Sequence, residues 1–147
     1  MAGEVILNYR DLDAWQVAMD LSVVTYRVAA LLPRSELFGL AAQMKRAGVS
    51  VPSNIAEGHA YGTPARAVYH FRIALGSVGE LDTQFELAIR LAFVTDADVA
   101  EAQAKLVRTR QLLYGMLRAK YVQLAKAAGK LALFLVPAAG LVLAACR

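Results

Sequence analysis

Apolar residues recur every three or four positions over four long segments of this 147-residue chain, which is the pattern of amphipathic helices. Pro33 ends the first segment, and a glycine-bounded turn at residues 58–62 ends the second. Thr63 and Pro64 then have the types of an N-cap and a first helical residue, and the fourth segment begins at Thr95. Short connections between long helices favour antiparallel neighbours. The sequence therefore predicts an all-α fold, an antiparallel up-down-up-down four-helix bundle.

The helical spacing also predicts which side chains face the core. We expect the first helix at residues 11–32, the second from about Ser35, and the third up to about Phe93. The side chains predicted to face inward are, in chain order, Leu12, Trp15, Met19, Ser22, Val23 and Tyr26; Leu37, Leu40, Met44, Ala47 and Val51; Val68, Phe71, Leu75, Val78, Phe85 and Ile89; and Val99, Leu106, Leu113, Leu117, Leu124 and Leu131.

The bundle is predicted to occupy residues 1–130, followed by an apolar tail at residues 131–147. The tail contains 16 consecutive residues without a charge, which Pro137 and Gly140 interrupt. A membrane span needs about 20 apolar residues. Three interpretations stay open: docking into a groove of an oligomer, an extension without a partner, and association with a membrane. We expect the tail to pack against protein rather than lipid.

The chain is more apolar than a small bundle requires. Its hydrophobic fraction is 58% and its mean hydropathy is +0.43, whereas about 45–50% is usual. The surplus indicates subunit interfaces, a buried tail or membrane contact. Gly76, Gly79 and Thr83 form a strip of small residues that suits close packing within the bundle or between subunits. The single cysteine, Cys146, excludes an intrachain disulfide, and without a signal-peptide pattern the expected compartment is the cytoplasm.

Positive charge is concentrated in the last third of the sequence. Residues 1–101 hold all 12 acidic and 8 of the basic residues, while residues 102–147 hold 8 basic residues and no acidic one. On the fourth helix Lys105, Arg108, Lys126 and Lys130 fall within an arc of about 60° if each residue turns about 100°, and Lys120 lies on the same side. Such a ridge suits phosphate groups. The alternative is a solvated basic face.

Two charged residues fall within the predicted apolar stripes. Asp82 lies in the stripe of the third helix and Arg110 near the middle of the fourth. A lone charge in a dry core costs several kcal/mol, so each needs a partner. We therefore predict a buried ion pair between them, with an Arg110 side chain that extends to water as the alternative.

A polar insert at residues 50–57 interrupts the apolar pattern of the second helix. Pro52 removes one backbone hydrogen bond, so a kink or a break is expected there. Ser50, Ser53 and Asn54 are residue types that satisfy freed backbone groups, and Asn54 with Glu57 has the spacing of a capping box. The insert is either a kink with local polar repair or a recognition surface that the kink presents.

The segment at residues 39–58 resembles a bacterial family of small four-helix-bundle proteins encoded in intervening sequences of large-subunit ribosomal RNA genes. The positions that carry the resemblance are Gly39, Leu40, Gln43, Arg46, Ala47, Ser50, Pro52, Asn54, Ile55, Ala56, Glu57 and Gly58, with supporting matches at Asp11, Leu12, Trp15, Gln16, Ala74, Gly76, Ser77, Glu80 and Leu81. The family has no firmly assigned activity. A related fold serves as the accessory protein of diversity-generating retroelements, a basic ring of five subunits that binds nucleic acid and a reverse transcriptase. The resemblance implies a homopentamer, with nucleic acid and a reverse transcriptase as candidate partners.

Catalytic and metal-binding patterns are absent from the sequence. Neither His59 nor His70 follows a glutamate by three residues, as di-metal bundles require, and both are expected to be solvated surface side chains. No catalytic residue, metal site or cofactor is therefore predicted, and the protein is not expected to be an enzyme. The sequence favours a non-enzymatic oligomeric scaffold or adaptor that binds nucleic acid through the fourth helix. The alternative is a membrane-peripheral bundle anchored by its tail.

Overall fold

The computed structural model describes residues 8–127 and contains four α-helices over that range. They are α1 (Asp13–Ala29), α2 (Leu40–Ala60), α3 (Pro64–Arg90) and α4 (Asp96–Ala127), with single turns of 3₁₀-helix at Tyr9–Asp11 and Arg34–Glu36. Within residues 8–127 no strand is present, which confirms the predicted all-α class. None of these helices is both long and apolar enough to cross a membrane.

Side-chain contacts show that the helices form an antiparallel bundle. Each helix packs against two neighbours, in the cyclic order α1, α2, α3, α4. In the contacts between neighbouring helices, residue numbers rise along one helix as they fall along the other. These contacts are Ser22–Gly48 and Tyr26–Lys45 between α1 and α2, Asn54–His70 and Ser50–Ser77 between α2 and α3, and Asp20–Lys105 and Arg27–Glu101 between α1 and α4. Helices α1 and α3 therefore point one way and α2 and α4 the other.

The core confirms the stripes predicted for α2, α3 and α4. Phe71 and Phe85 are the largest buried side chains, and the predicted leucines of α4 are buried as far as Leu117. Leu75, Ile89 and Leu124 are partly buried against this core. Leu131 and the rest of the predicted tail, residues 131–147, lie outside the described residues.

Half of the stripe predicted for α1 is wrong: Ser22 is buried and Leu12 and Trp15 pack against the core, but the other three side chains do not enter it. Met19, Val23 and Tyr26 are 39%, 53% and 47% exposed. The face of α1 that enters the core consists instead of Ala14, Ala18, Leu21, Val24, Thr25 and Val28. Because α1 is apolar on two sides, its spacing fits either face. The face with alanines is the one buried, which leaves larger apolar side chains outside.

The start of α2 also differs from the prediction. The Glu36 carboxylate accepts a hydrogen bond from the Leu40 backbone N–H at 2.9 Å, so the helix begins at Leu40 rather than near Ser35. Leu37, predicted to face the core, is 52% exposed, and Phe38 is 90% exposed.

Helix α4 is the longest of the four, with 32 residues against 17 in α1. At about 1.5 Å per residue it extends roughly 48 Å, which is almost twice the length of α1. Because α3 and α4 are antiparallel, the second half of α4 lies alongside the first half of α3.

Candidate nucleic-acid interface and signature segment

Pro52 lies inside a continuous helix, so the predicted break is wrong. The ring of Pro52 carries no N–H, which leaves the Gly48 carbonyl without its usual helical donor. The Ser22 hydroxyl of α1 lies 2.7 Å from this carbonyl oxygen and 2.8 Å from the Ala18 carbonyl oxygen of its own helix. It shares its single proton between the two. The repair therefore comes from a neighbouring helix and not, as expected, from Ser50, Ser53 or Asn54.

The polar side chains of the insert form a network with α3. Asn54 donates through Nδ2 to the Ser50 carbonyl at 2.9 Å, which turns its Oδ1 toward His70 Nδ1 at 3.1 Å. A Glu57 carboxylate oxygen also lies 3.1 Å from His70 Nδ1. Both partners are acceptors, so Nδ1 carries the proton. The Ser77 hydroxyl donates to Ser50 Oγ at 2.8 Å and completes the network.

Two expectations about these residues are wrong. Asn54 and Glu57 do not form a capping box, because α2 does not restart at Asn54 and both side chains contact His70. His70 is not a solvated surface residue, because its side chain is only 13% exposed. Its burial was hidden from the sequence because the side chain faces α2 rather than the apolar stripe of α3.

Gly58 allows α2 and α3 to approach closely. A Cβ atom at this position would lie 2.6 Å from Phe71 Cε1 and 3.2 Å from His70 Cβ. No side chain larger than hydrogen fits without moving the neighbouring helix. Ser50, Asn54, Glu57 and Gly58 therefore hold two helices together, whereas Arg46 is exposed to solvent.

An aromatic cluster surrounds His70 at the turn between α2 and α3. The Tyr61 ring stacks on the imidazole with a centroid distance of 5.0 Å, and the Tyr69 ring meets it edge-on at 5.2 Å. The Arg66 guanidinium lies 4.8 Å from the centre of the Tyr61 ring. Tyr61 and Tyr69 are 46% and 63% exposed, so both keep surface that can contact a ligand.

The structure divides the basic ridge predicted on α4. Lys105 Nζ lies 3.0 Å from an Asp20 carboxylate oxygen, and its side chain is only 28% exposed. Arg108 and Lys126 are exposed and Lys120 is half-buried, while Lys130 lies outside the described residues. The ridge is therefore interrupted at Lys105, which joins α4 to α1.

Asp82 and Arg110 contact each other but are not buried. Arg110 donates to an Asp82 carboxylate oxygen at 2.7 Å. The Asp82 side chain is 50% exposed and the Arg110 side chain is 35% exposed. The prediction of burial is wrong because both residues lie at the outer edge of the α3–α4 seam, where water reaches them.

Five cations lie on the first half of α3 and the second half of α4, two stretches that run alongside each other. We call this surface the basic end, and its members are Arg66, Arg72, Arg118, Lys120 and Lys126. No acidic residue occurs in residues 58–79 or 102–127. The sequence reasoning did not include Arg66 and Arg72, because they are distant from α4 in sequence. The signal that could have identified them is the acid-free stretch before Glu80.

A family model for the 23S rRNA-intervening sequence protein matches residues 10–115. The chain belongs to this family. No curated protein sequence matches it. The family match includes the whole α2–α3 network and ends before Arg118, so three cations of the basic end lie beyond the part that defines this 23S rRNA-intervening sequence protein family.

Within residues 8–127, no group of three or more potential metal-ligating side chains comes together. His70 is engaged through Nδ1 by Asn54 and Glu57. In this family member, the arrangements that the geometry offers to a ligand are the basic end with its exposed tyrosines, and the exposed apolar side of α1.

Proposed function

We propose that this family member is a non-enzymatic, self-associating adaptor that binds nucleic acid through the basic end of its bundle. One observation carries the proposal: the first half of α3, with Arg66 and Arg72, runs alongside the second half of α4, with Arg118, Lys120 and Lys126, and neither stretch contains an acidic residue. Elsewhere in the described chain, cations such as Lys105 and Arg110 are offset by nearby carboxylates.

Phosphate binding follows from this electrostatic arrangement. A polyanion that neutralises several cations releases condensed counterions, which favours binding without requiring contact with particular bases. Tyr61 and Tyr69 lie at the same end of the bundle and are partly exposed, so bases can stack on them. This combination favours single-stranded nucleic acid over a duplex, in which the bases are already stacked.

Self-association is supported by the apolar side chains that the fold leaves outside. Met19, Val23 and Tyr26 on α1, and Leu87 and Leu91 at the end of α3, are 39–53% exposed. Exposed apolar patches of this kind mark interaction sites. A closed ring of five subunits, implied by the resemblance to retroelement accessory proteins, stays the prediction for oligomer size.

The nucleic-acid proposal is tested by titrating a labelled single-stranded RNA and following fluorescence anisotropy. The test variant is Arg118→Glu with Lys126→Glu. The matched control is Arg34→Glu with Arg90→Glu, which has the same change in net charge at the opposite end of the bundle. We expect the test variant to bind at least about tenfold more weakly. The slope of the logarithm of the binding constant against the logarithm of the salt concentration should become shallower by about 0.7 for each phosphate contact removed.

Equal losses in the two variants would show that net charge alone drives binding and would refute a defined interface. Absence of RNA binding by the unmodified protein at low salt would refute the nucleic-acid function. A labelled duplex of the same length gives the comparison between strand types, and tighter binding to the duplex would contradict the stacking role of the tyrosines.

A further inference from the structure

An apolar groove runs between α1 and α2 on the outside of the bundle. We call it the α1–α2 groove, and its walls are formed by Trp15, Met19, Val23, Tyr26, Ala30 and Val49. It contains two adjoining cavities of about 290 and 620 Å³, which share Met19, Ser22 and Val49. The groove exists because small groups, Ser22 and Gly48, bring the two helices together beneath larger side chains.

The edges of the α1–α2 groove are cationic. Arg27 lines the larger cavity, where Glu101 at 3.5 Å offsets its charge, and Lys45 Nζ lies 5.5 Å from the centre of the Tyr26 ring. Arg46 is exposed on α2, three residues before Val49 and therefore on the same side of the helix. Among residues 8–127, no acidic side chain lines either cavity. A complementary occupant is apolar with a negative charge near its middle.

A second copy of this chain presents such a surface on α3. The exposed residues spaced alternately by three and four positions form what we call the outer seam of α3, and they are Ile73, Gly76, Glu80, Thr83 and Leu87. This is the spacing of a helix that packs lengthwise along others. Glu80 provides the negative charge near the middle. A Cβ added at Gly76 meets nothing within 4 Å, so this glycine does not serve packing within its own bundle.

We propose that the outer seam of α3 from one copy lies in the α1–α2 groove of the next, with Glu80 facing Lys45 and Arg46. The contact joins two different surfaces, so a pair of subunits keeps one free groove and one free seam after the first contact. Such head-to-tail contacts close into a ring when the rotation allows it. The inference rests on the self-association in the proposed function and does not depend on nucleic-acid binding.

The proposal also explains the position of two features that bundle packing does not use. Gly76 and Gly79, expected from the sequence to pack within the bundle or between subunits, face open space in the protomer. Arg46 belongs to the segment that resembles the family but does not join the α2–α3 network. The contact places Gly76 and Arg46 at the junction between subunits.

The test measures the mass of the full chain by light scattering, for three variants that each replace an exposed apolar side chain by glutamate. Val23→Glu disables the groove, Leu87→Glu disables the seam, and Val107→Glu on α4 is the matched control, since Val107 is 48% exposed and belongs to neither surface. We expect Val23→Glu and Leu87→Glu to be folded monomers by circular dichroism, and Val107→Glu to keep the mass of the unmodified oligomer.

Mixing the two monomeric variants gives the sharpest result. Each still carries one intact half of a head-to-tail contact, so the mixture should form a one-to-one dimer that cannot grow further. An unmodified chain that is monomeric would overturn both self-association and this contact. An oligomer that survives Val23→Glu and Leu87→Glu would overturn the contact and leave self-association standing. Two monomeric variants that stay monomeric when mixed would also overturn it, because they would indicate a symmetric interface.

Discussion

The two seams of helix α2 are built in opposite ways. Toward α3, α2 presents Asn54 and Glu57, whose polar groups meet His70, and Gly58, which lets the helices touch. Toward α1, the Ser22 hydroxyl contacts the Gly48 carbonyl, and an apolar groove stays open outside. Polar contacts therefore join α2 to its neighbours around the apolar core, while other apolar residues on α1 are left at the surface. In this fold, the polarity of a residue alone does not indicate whether it lies inside the protomer or at an interface between subunits.

The largest expected effect is at the closest point of the α2–α3 seam. Gly58→Val places a branched side chain where even a Cβ would lie 2.6 Å from Phe71. We expect the free energy of unfolding to fall by about 3 kcal/mol, since inserting atoms into a packed site typically costs 1–3 kcal/mol or more. Urea denaturation at a fixed protomer concentration measures it.

The control for this prediction is Gly115→Ala on α4, where a Cβ meets nothing within 4 Å. There we expect a gain of about 0.5–1 kcal/mol from helix propensity. A loss at Gly115 as large as that at Gly58 would show that the seam has no special packing requirement.

A smaller effect is expected from the polar network of the same seam. Asn54→Ala removes the acceptor Oδ1 at 3.1 Å from His70 and the donor to the Ser50 carbonyl. We expect a loss of about 1 kcal/mol, because the hydrogen bond to His70 across the seam is removed while the Glu57 carboxylate still faces His70 Nδ1. Ser53→Ala is the matched control, since the exposed Ser53 hydroxyl bonds only to its own helix. Thermal unfolding that ranks Ser53→Ala as the more damaging change would contradict the structural role of the network.

The ion pair at the edge of the α3–α4 seam should contribute less. Asp82 and Arg110 are about half and a third exposed, so water and salt screen their attraction. A double-mutant cycle with alanine at both positions is expected to give a coupling energy of about 0.2–1 kcal/mol that declines with added salt. A coupling above about 3 kcal/mol would indicate a desolvated pair and would restore the original prediction of burial.

The smallest effect concerns the exposed start of α4. Hydrogen bonds from the Thr95 hydroxyl and backbone N–H hold the pKa of Asp98 below its ordinary value of 3.8. A lowered pKa in the folded state stabilises the fold above the unfolded-state pKa, and the contribution is lost as pH falls through the folded-state pKa. The difference in thermal stability between the unmodified chain and Asp98→Asn should therefore be present at neutral pH and vanish in strong acid. A difference that grew on acidification would contradict this assignment.

Much of the fold could be predicted because the apolar spacing of α2, α3 and α4 has one solution. In those helices the predicted stripe forms one buried face, with Met44, Phe71 and Leu113 buried as expected, although Ile73 and Leu87 stay exposed on the other side of α3. The spacing of α1 has two solutions, and the prediction followed the side with Trp15, Met19 and Tyr26. Close packing around Ala14 and Ala18 decided otherwise.

The polar contacts could be predicted only in part, because they depend on which helix faces which. The freed Gly48 carbonyl followed from Pro52, but its partner Ser22 lies 26 positions away in the sequence. His70 was assigned to the surface because its neighbours in α2 were not known. Arg66 and Arg72 were omitted from the basic surface for the same reason, since α3 had to be placed beside α4 first.

Sedimentation velocity on Val23→Glu and Asn54→Ala, each with its urea unfolding curve, tests the contrast between the two seams most directly. Val23→Glu should sediment as a monomer, because its side chain lies at the outer surface of the protomer. Its urea unfolding curve should keep the m-value of the folded bundle. Asn54→Ala should keep the sedimentation coefficient of the unmodified oligomer and unfold at a lower urea concentration. The opposite pattern, with Asn54→Ala dissociated and Val23→Glu assembled, would contradict the assignment of the α2–α3 seam to the protomer and of the α1–α2 groove to association.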